Sequence, residues 1–407
     1  MPSQHPIEAL ADLRHEFGEH GGVNMSIEAS STFTVLDPET MPEIFRGEKG
    51  PDNAGCYLYG RHFNPTVYNL SRQLAAIEGT ESAYCAASGM GAISAVALAL
   101  CGMGDHIVSS NTIYGGTYAL MHHFLPIKTG VTTSFVNSSD LEAVRAAITD
   151  KTRFLYVESV SNPVLRVANI PALADIAHQA GIPLVVDNTF SPLVLSPAKL
   201  GADIVIHSLT KFIGGASDLI AGAVCASQEF IQQLMDLHTG PLMILGPTMD
   251  PNVAAAISLR VPHLPLRMAA HGERALALAT KLQERGIAVS YPGLTSHPDY
   301  QLFCDTGSAD YGFGGVLTID AGTEDRAQAL MATLQNDHQF GFVAVSLGYF
   351  DTLMSCSASS TSSEMEADDI EAAGINPGLV RMAVGYTGTL EQRWGQLEAA
   401  LTATGLL

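Results

Sequence analysis

A chain of 407 residues, 47% of them hydrophobic, is long enough to bury a large core and to form two domains. Its net charge of −21, from 41 acidic and 20 basic residues, argues against a nucleic acid or an anionic membrane as partner. The six cysteines form no CxxC pair, which argues against a metal centre and favours a reducing compartment. The polar first residues are unlike a signal peptide, and the apolar run 92–100 is too short to span a bilayer, so we expect a soluble, cytoplasmic protein.

The predicted elements fall into three regions. Residues 1–62 carry loop signals without firm periodicity and are predicted as an N-terminal extended segment. From residue 69 a helical pattern begins, and short β-rich runs then alternate with helices, which predicts an α/β domain with a mostly parallel sheet over residues 63–257. A long amphipathic helix closed by Gly286 follows. Strands at 287–293, 314–320 and 342–348 with two further helices predict a smaller α/β domain over residues 258–407.

The segment IHSLTKFIGG, residues 206–215, places Lys211 directly after an apolar strand. A lysine that follows a strand is most often a surface residue. Here Leu209 and Phe212 flank it, and the carboxyl end of a buried parallel strand is where such sheets bind ligands. Desolvation there lowers the pKa of the amine and makes it a nucleophile. We therefore predict that Lys211 forms an imine with an aldehyde cofactor.

A second polar residue, Asp187, ends the apolar strand in PLVVDNTF. Such an aspartate can simply cap the following turn. A buried carboxylate is nevertheless costly unless it has a cationic partner. Together with Lys211, the acid fits pyridoxal phosphate, in which a carboxylate keeps the pyridine nitrogen protonated.

Two further segments suit the same cofactor. The small residues of ASGMGAI, residues 87–93, let backbone N–H groups approach an anion at the start of a helix. Ser208 and Thr210 beside the lysine can add hydroxyl donors to the same phosphate. Tyr114, in NTIYGGTY, can stack on the cofactor ring and transfer a proton. Each signal is weak alone, but the order of phosphate loop, aromatic, aspartate and lysine meets the needs of one cofactor.

Eight motifs carry a resemblance to a known family: YGRHFNPT, ASGMGAIS, IYGGTY, ESVSNP, VVDNTF, HSLTKF, AVSLG and GLVRMAVG. Over nearly its whole length the chain resembles the Cys/Met-metabolism family of PLP-dependent enzymes. Within that family, HEFGEHGGVNMSIEASSTFTV, LGPTMDP and SLGYFDTLMSCSASSTSSE resemble the plant-type methionine γ-lyases. The resemblance implies an aspartate-aminotransferase-like α/β fold (fold type I). It also implies γ-elimination of L-methionine to methanethiol, 2-oxobutanoate and ammonia.

The resemblance also implies a role for each position around the cofactor, pyridoxal 5′-phosphate. Lys211 would hold it covalently and would act with Tyr114 in catalysis, and Asp187 would pair with its ring nitrogen. The residues implied in binding its phosphate are Gly89, Met90, Ser208 and Thr210, and Ser88 is implied in binding the cofactor.

Other implied roles concern the substrate and a second subunit. Arg381, in GLVRMAVG, would grip the substrate carboxylate as a bidentate fork, with Asn162 and Ser346 helping to place it. Tyr59 and Arg61, in YGRHFNPT, would reach the phosphate of a neighbouring subunit. The N-terminal segment would then contact that subunit, and the active unit would be a dimer, usually paired into a homotetramer with shared active sites.

Three departures from related sequences are expected at the substrate site. Gly116 stands where bacterial-type methionine γ-lyases carry cysteine, and Asp351 stands where many relatives have glutamate. Cys-Ser-Ala-Ser at 356–359 replaces a common His-Pro-Ala-Ser, which makes Cys356 the one cysteine with an expected place near substrate. By composition, residues 355–364 would be a flexible linker, but the resemblance places them close to the substrate site.

The motifs leave the final reaction open. A γ-replacement enzyme, such as an O-acetylhomoserine sulfhydrylase or a cystathionine γ-synthase, would use the same first steps, and so would a cystathionine γ-lyase. The preference among methionine, homocysteine, cystathionine and cysteine is open as well. A catalytically inactive protein on this fold would be expected to have lost Lys211 or Asp187, and both are present.

Overall fold

The larger of two sheets contains seven strands: β1 Ser82–Ala86, β2 His106–Ser110, β3 Thr132–Val136, β4 Thr152–Glu158, β5 Leu184–Asp187, β6 Ile204–Ser208 and β7 Gly222–Ala226. Their order across the sheet is β1-β7-β6-β5-β4-β2-β3. Strand β7 is antiparallel to both of its neighbours, and the other pairs are parallel. This computed structural model describes residues 5–13, 18, 20–46, 48–51, 56–356, 366, 368, 370 and 373–407.

Both faces of this sheet are covered. In β4 the side chains of Phe154 and Tyr156 pack into one hydrophobic cluster, whereas Leu155 and Val157 pack into another on the opposite face. All four are at most 1% exposed. Because neither face meets water, the strands are continuous apolar runs rather than alternating ones, as expected of a parallel sheet between helical layers. The predicted α/β class is thereby confirmed.

The smaller sheet contains five strands: β8 Val289–Ser290, β9 Val316–Asp320, β10 Gly341–Val343, β11 Thr352–Cys356 and β12 Leu379–Ala383. Their order is β10-β11-β12-β9-β8, and only the β10–β11 pair is parallel. Its core includes Leu317, Met354 and Met382, which pack with residues of the last two helices. The boundary predicted at residue 257 falls within the helix Pro251–Arg260 and stays a prediction, as does the boundary at residue 62.

The α-helices of the described residues span Pro6–Asp12, Thr40–Phe45, Pro65–Glu78, Gly89–Leu100, Gly115–Ala119, Leu125–Thr129, Leu141–Ala147, Ile170–Gln179, Gln228–Leu234, Pro241–Leu245, Pro251–Arg260, Leu264–Glu284, Tyr300–Thr306, Glu324–Asn336 and Leu390–Ala403. A π-helical turn at Leu120–Phe124 joins two of them. None of the helices in the described part of the chain combines the length and apolarity that a membrane crossing requires.

The strands differ from the sequence prediction at three places. The strand predicted over residues 287–293 is reduced to Val289–Ser290. The strand predicted over residues 342–348 ends at Val343, and the following residues leave the sheet towards the cavity described below. Strand β7 has no counterpart in the sequence prediction, because Gly222–Ala226 consists mainly of small residues with little β-propensity. Residues 357–365 of the serine-rich stretch lie outside the described residues.

Candidate active site

A cavity of about 220 Å³ lies where β4, β5 and β6 end. Ligands of open α/β sheets bind at these carboxyl ends. The predicted residues that line it are Ser88, Gly89, Met90, Tyr114, Asn162, Asp187, Ser208, Thr210, Lys211 and Arg381. Ser346 joins them through a hydrogen bond to Lys211. Tyr59 and Arg61 are not part of this lining.

Lys211 reaches the cavity from the turn after β6. Its backbone is fixed by the neighbours Leu209 and Phe212, which are fully buried in the core. Its Nζ donates a hydrogen bond to Ser346 Oγ at 3.0 Å. Burial, with the positive charge of Arg381 as a second cause, lowers the pKa of Lys211 to about 8. The amine is therefore far more often neutral near physiological pH than that of a solvated lysine.

The residues after β10 bring Ser346 to this lysine because Gly348 allows a close backbone approach. Gly348 has a φ of 77°, a left-handed conformation that favours glycine. A Cβ atom there would overlap the backbone nitrogen of Phe212 and would lie 2.8 Å from the carbonyl carbon of Lys211. The glycine of the AVSLG motif thus lets the second part of the chain pack directly on the lysine turn.

Asp187 ends β5 and is 8% exposed. Its Oδ1 accepts hydrogen bonds from the backbone N–H of Thr189 at 2.9 Å and from the Thr189 hydroxyl at 2.5 Å. The Tyr156 hydroxyl lies 3.4 Å from Oδ2. Burial raises the pKa of Asp187, and the Thr189 bonds only partly oppose this effect. Among the described residues no lysine, arginine or histidine lies within salt-bridge distance, so a cationic ligand atom would stabilise the carboxylate.

The start of the helix Gly89–Leu100 meets the end of β6. The Ser88 hydroxyl caps this helix by accepting from Gly91 N at 2.9 Å, which leaves the preceding N–H groups of Gly89 and Met90 for an anion. A Cβ atom at Gly89 would lie 2.9 Å from the Cβ of Ser208, so glycine is required for this approach. The Thr210 hydroxyl already bonds to the backbone of Ala221, which holds the turn together.

Arg381 projects from β12 and is 2% exposed. Its Nη1 donates to Asn162 Oδ1 at 3.0 Å, and its Nη2 donates to the Ser346 carbonyl oxygen at 3.2 Å. Within the described part of the chain its buried Nε has no hydrogen-bond partner. Burial lowers the pKa of Arg381 to about 10, so the guanidinium still carries its charge at neutral pH. An oriented cation with an unused donor suits a carboxylate.

Tyr114 lies at the edge of the cavity and is 42% exposed. It precedes the short helix Gly115–Ala119, and its backbone N–H donates to Glu158 Oε1 at 2.7 Å. Its ring lies over Gly116: a Cβ atom there would be 2.5 Å from Tyr114 Cε1 and 3.0 Å from Cζ. The glycine at this position therefore determines where the tyrosine ring can lie.

The sequence interpretation missed the apolar side chains that line the cavity and two polar ones, Glu158 and Thr189. Glu158 is the last residue of β4, paired in register with Asp187 at the end of β5. The rule that singled out Asp187, an acid that ends an apolar strand, would also have found Glu158 in the ESVSNP motif. Thr189 had no comparable signal, because a threonine in a turn is common.

Tyr59 and Arg61 lie away from this cavity within one chain. Arg61 Nη1 donates to the Met243 carbonyl oxygen at 2.6 Å, and the Arg61 guanidinium carbon lies 5.8 Å from the centre of the Tyr59 ring. Tyr59 is 48% exposed. Their part in a site shared between subunits stays a prediction.

Two of the expected substrate-site departures lie elsewhere. The Asp351 carboxylate accepts hydrogen bonds from Arg393 Nη2 at 2.8 Å and from the Thr387 hydroxyl, and it does not line the cavity. The Cys356 thiol donates to the Pro377 carbonyl oxygen at 3.1 Å inside the core of the smaller sheet. Placing these two residues at the site was wrong. Asp351 precedes β11 and its carboxylate is held by Arg393 and Thr387, whereas Cys356 ends β11 with its side chain in the core of the smaller sheet. Residues 357–359 lie outside the described part of the chain.

This fold and cavity agree with one family. The family model for the Cys/Met metabolism PLP-dependent enzymes matches residues 9–399. The chain belongs to this family, and its cofactor is pyridoxal phosphate.

Comparison with individual proteins shows which members of this family the chain is similar to. A methionine γ-lyase from Arabidopsis thaliana is 60% identical over 396 residues, which cover 97% of this chain and 90% of that protein. A cystathionine γ-lyase from Bacillus subtilis is 35% identical over 90% of this chain and 93% of its own. The crystal structure of a cystathionine γ-synthase from Xanthomonas oryzae pv. oryzae matches with a TM-score of 0.87 and 30% identity, over 99% of both chains.

The residues present fit pyridoxal phosphate. The partly neutral amine of Lys211 suits the aldehyde, and the buried carboxylate of Asp187, without a cation, suits a protonated ring nitrogen. The glycine-dependent approach of Gly89 to Ser208 suits the phosphate.

The rate at which pyridoxal phosphate attaches to the apoenzyme is expected to rise with pH through about 8 and then to level off. Only the neutral amine attacks an aldehyde, and burial lowers the pKa of Lys211 from its ordinary value of 10.5. Stopped-flow absorbance at fixed cofactor concentration measures this rate, over a pH range of roughly 2 units on either side of the shifted pKa. A rate that keeps rising through the whole range would show that Lys211 is not desolvated.

Proposed function

We propose that the protein is a PLP-dependent carbon–sulfur lyase that converts L-methionine and one water molecule by γ-elimination to methanethiol, 2-oxobutanoate and ammonia. One observation carries this proposal. Lys211, Asp187 and Arg381 line the same cavity, in a chain that is 60% identical to the Arabidopsis methionine γ-lyase. The substrate is thus a small sulfur amino acid. A cytoplasmic location is supported by the six cysteines, all of which are free thiols.

Each side chain of the cavity has a place in this reaction. When bound, pyridoxal phosphate supplies an electron sink that stabilises negative charge at the Cα atom of the amino acid. Arg381 binds the substrate carboxylate and Asp187 keeps the ring nitrogen protonated. Lys211 removes the Cα proton and then moves a proton at Cβ. Tyr114 donates a proton to the departing thiolate as a general acid.

We also propose that the active unit contains a second copy of the chain, paired further into a homotetramer. Support comes from the N-terminal segment, where the apolar side chains Val23, Leu36 and Phe45 are 86%, 94% and 56% exposed. A single chain gains nothing from exposing them.

Mixing inactive Arg61→Ala and Lys211→Ala proteins tests the sharing of sites. Mixed dimers would regain activity if Arg61 serves the partner's cavity, and would stay inactive otherwise.

The first test of the proposed reaction is a turnover assay on the cofactor-loaded protein. Methionine is supplied, and 2-oxobutanoate and methanethiol are quantified. Equimolar release of the two products supports a γ-lyase.

A γ-replacement reaction is the second candidate, favoured by the similarity to the Xanthomonas structure along the whole chain. Rapid homocysteine formation from O-acetylhomoserine and sulfide, without turnover of methionine, would favour it instead.

Gly116→Ala is expected to lower kcat by on the order of 10- to 100-fold, because a Cβ atom would displace the ring of the proposed general acid Tyr114. Steady-state kinetics with methionine and a thermal melt measure the effect. Gly395→Ala is the matched control, since nothing lies within 4 Å of a Cβ atom there. Equal kcat values for both variants would contradict the role of Gly116.

A further inference from the structure

Glu158 is a buried carboxyl group that the proposed reaction does not use. It lies at the end of β4, 7% exposed, beside the proposed cofactor partner Asp187. Burial and the charge of Asp187 raise the pKa of Glu158 to about 8, whereas two backbone hydrogen bonds and Arg381 oppose this rise. Among the described residues no side chain forms a salt bridge with it. A buried carboxyl of this kind costs free energy, so its contacts indicate what it does.

Its two oxygens bond to two different loops. Oε1 accepts from the backbone N–H of Tyr114 at 2.7 Å, and Oε2 accepts from the backbone N–H of Asn162 at 2.9 Å. A carboxyl group carries two separate oxygens, so a single side chain can accept a hydrogen bond from each loop. The two loops follow neighbouring strands, β2 and β4, and each brings a different side chain to the cavity.

Each loop carries one of the groups that position the reactants. The first carries the ring of Tyr114 at the edge of the cavity. The second carries Asn162, whose side-chain oxygen accepts from Arg381 Nη1 at 3.0 Å and so fixes the rotation of the guanidinium. If either loop shifted, the ring of Tyr114 or the guanidinium of Arg381 would stay in the cavity but would take a different position.

We propose that Glu158 is a positioning residue that joins the aromatic edge of the cofactor site to the carboxylate-binding site. With both oxygens engaged, the ring of Tyr114 and the guanidinium of Arg381 keep one relative placement. This inference rests on the proposed function only in that methionine is the substrate used to test it. The positioning role itself applies to the bound cofactor and to any amino acid whose carboxylate binds Arg381.

Two variants separate this role from a merely structural one. Glu158→Leu removes both acceptors at similar volume and is expected to raise the KM for methionine by about 10- to 100-fold. It is also expected to change the absorbance band and the fluorescence of the bound cofactor, because the Tyr114 loop is released. Glu158→Gln keeps one acceptor oxygen and should restore one of these two properties but not both. Values are expressed per folded, cofactor-loaded site.

Glu398→Gln is the matched control, because this carboxylate lies on the last helix, pairs with Arg285 and does not line the cavity. It is expected to leave KM and the cofactor band unchanged. Glu158→Leu with both properties altered supports the proposal, and an effect on only one of them, or on neither, overturns it. If Glu158→Leu does not fold, Glu158→Gln decides: wild-type values of both properties overturn the proposal, and a change in either supports it.

The same measurements separate a failure of this inference from a failure of the proposed function. If the wild-type protein does not turn over methionine but makes homocysteine, KM is measured with O-acetylhomoserine instead. The cofactor band needs no substrate at all. A wild-type KM and band in the Glu158 variants would then refute the positioning role alone.

Discussion

Lys211→Ala is expected to lower kcat for the methionine elimination by on the order of 10⁴-fold, the upper range for a lost acid–base group. The reason is that one amine has two proposed tasks, the proton at Cα and the proton at Cβ. Its position after β6, its lowered pKa and its contact with Ser346 place that amine in the cavity. Neither Arg381, held by Asn162, nor the half-exposed Tyr114 is placed to take its role.

Single-turnover kinetics with the variant reconstituted in excess cofactor measure this loss. Lys151→Ala, at an exposed lysine outside the cavity, is the matched control and should keep wild-type rates. A small primary amine added to Lys211→Ala should restore part of the rate, since it replaces the missing base. A rate within tenfold of wild type (about 1.4 kcal/mol in the barrier) would refute the assignment of Lys211.

Asp187→Asn is expected to lower kcat by about 10²- to 10³-fold, as the loss of one preorganised electrostatic partner does elsewhere. The amide has the same shape, and its oxygen can still accept both bonds from Thr189. The change therefore removes the charge and leaves the geometry. Without that charge the ring nitrogen of the cofactor is less readily protonated, and the electron sink weakens.

The measurement pairs kcat with the affinity for pyridoxal phosphate, which should also fall. Asp175→Asn, on the exposed side of the helix Ile170–Gln179, is the matched control. If Asp187→Asn kept wild-type kcat and cofactor affinity, the buried carboxylate would have to serve only the turn at Thr189.

The sequence predicted the groups that lie on the larger sheet best. Lys211 and Asp187 each follow an apolar strand, and parallel strands bring their carboxyl ends to one edge, so their convergence follows from local pattern and topology. Arg381 and Asn162 are far apart in sequence, and their contact depends on how the two sheets pack. No periodicity encodes that packing, and only the resemblance to a family suggested a place for both residues.

Other features depended on details of tertiary structure. The residues after Val343 have a strand-like composition, yet they leave β10 because their contacts with the lysine turn replace further pairing. Asp351 and Cys356 were misplaced because proximity along the chain does not determine side-chain contacts: Asp351 bonds to Arg393, and Cys356 points into the core of the smaller sheet. Glu158 was within reach of the strand-end rule and was overlooked.

The contact between Lys211 and Ser346 joins the two sheets at the point where the chemistry is proposed to occur. The larger sheet carries the amine and the cofactor partner, and the smaller sheet carries the arginine, so neither half has a complete set of groups. The two halves therefore cannot be exchanged or inherited as independent modules. Catalytic activity therefore reports whether the two halves are packed together. If the chain were cut between residues 226 and 289, turnover would return only when the two fragments associate.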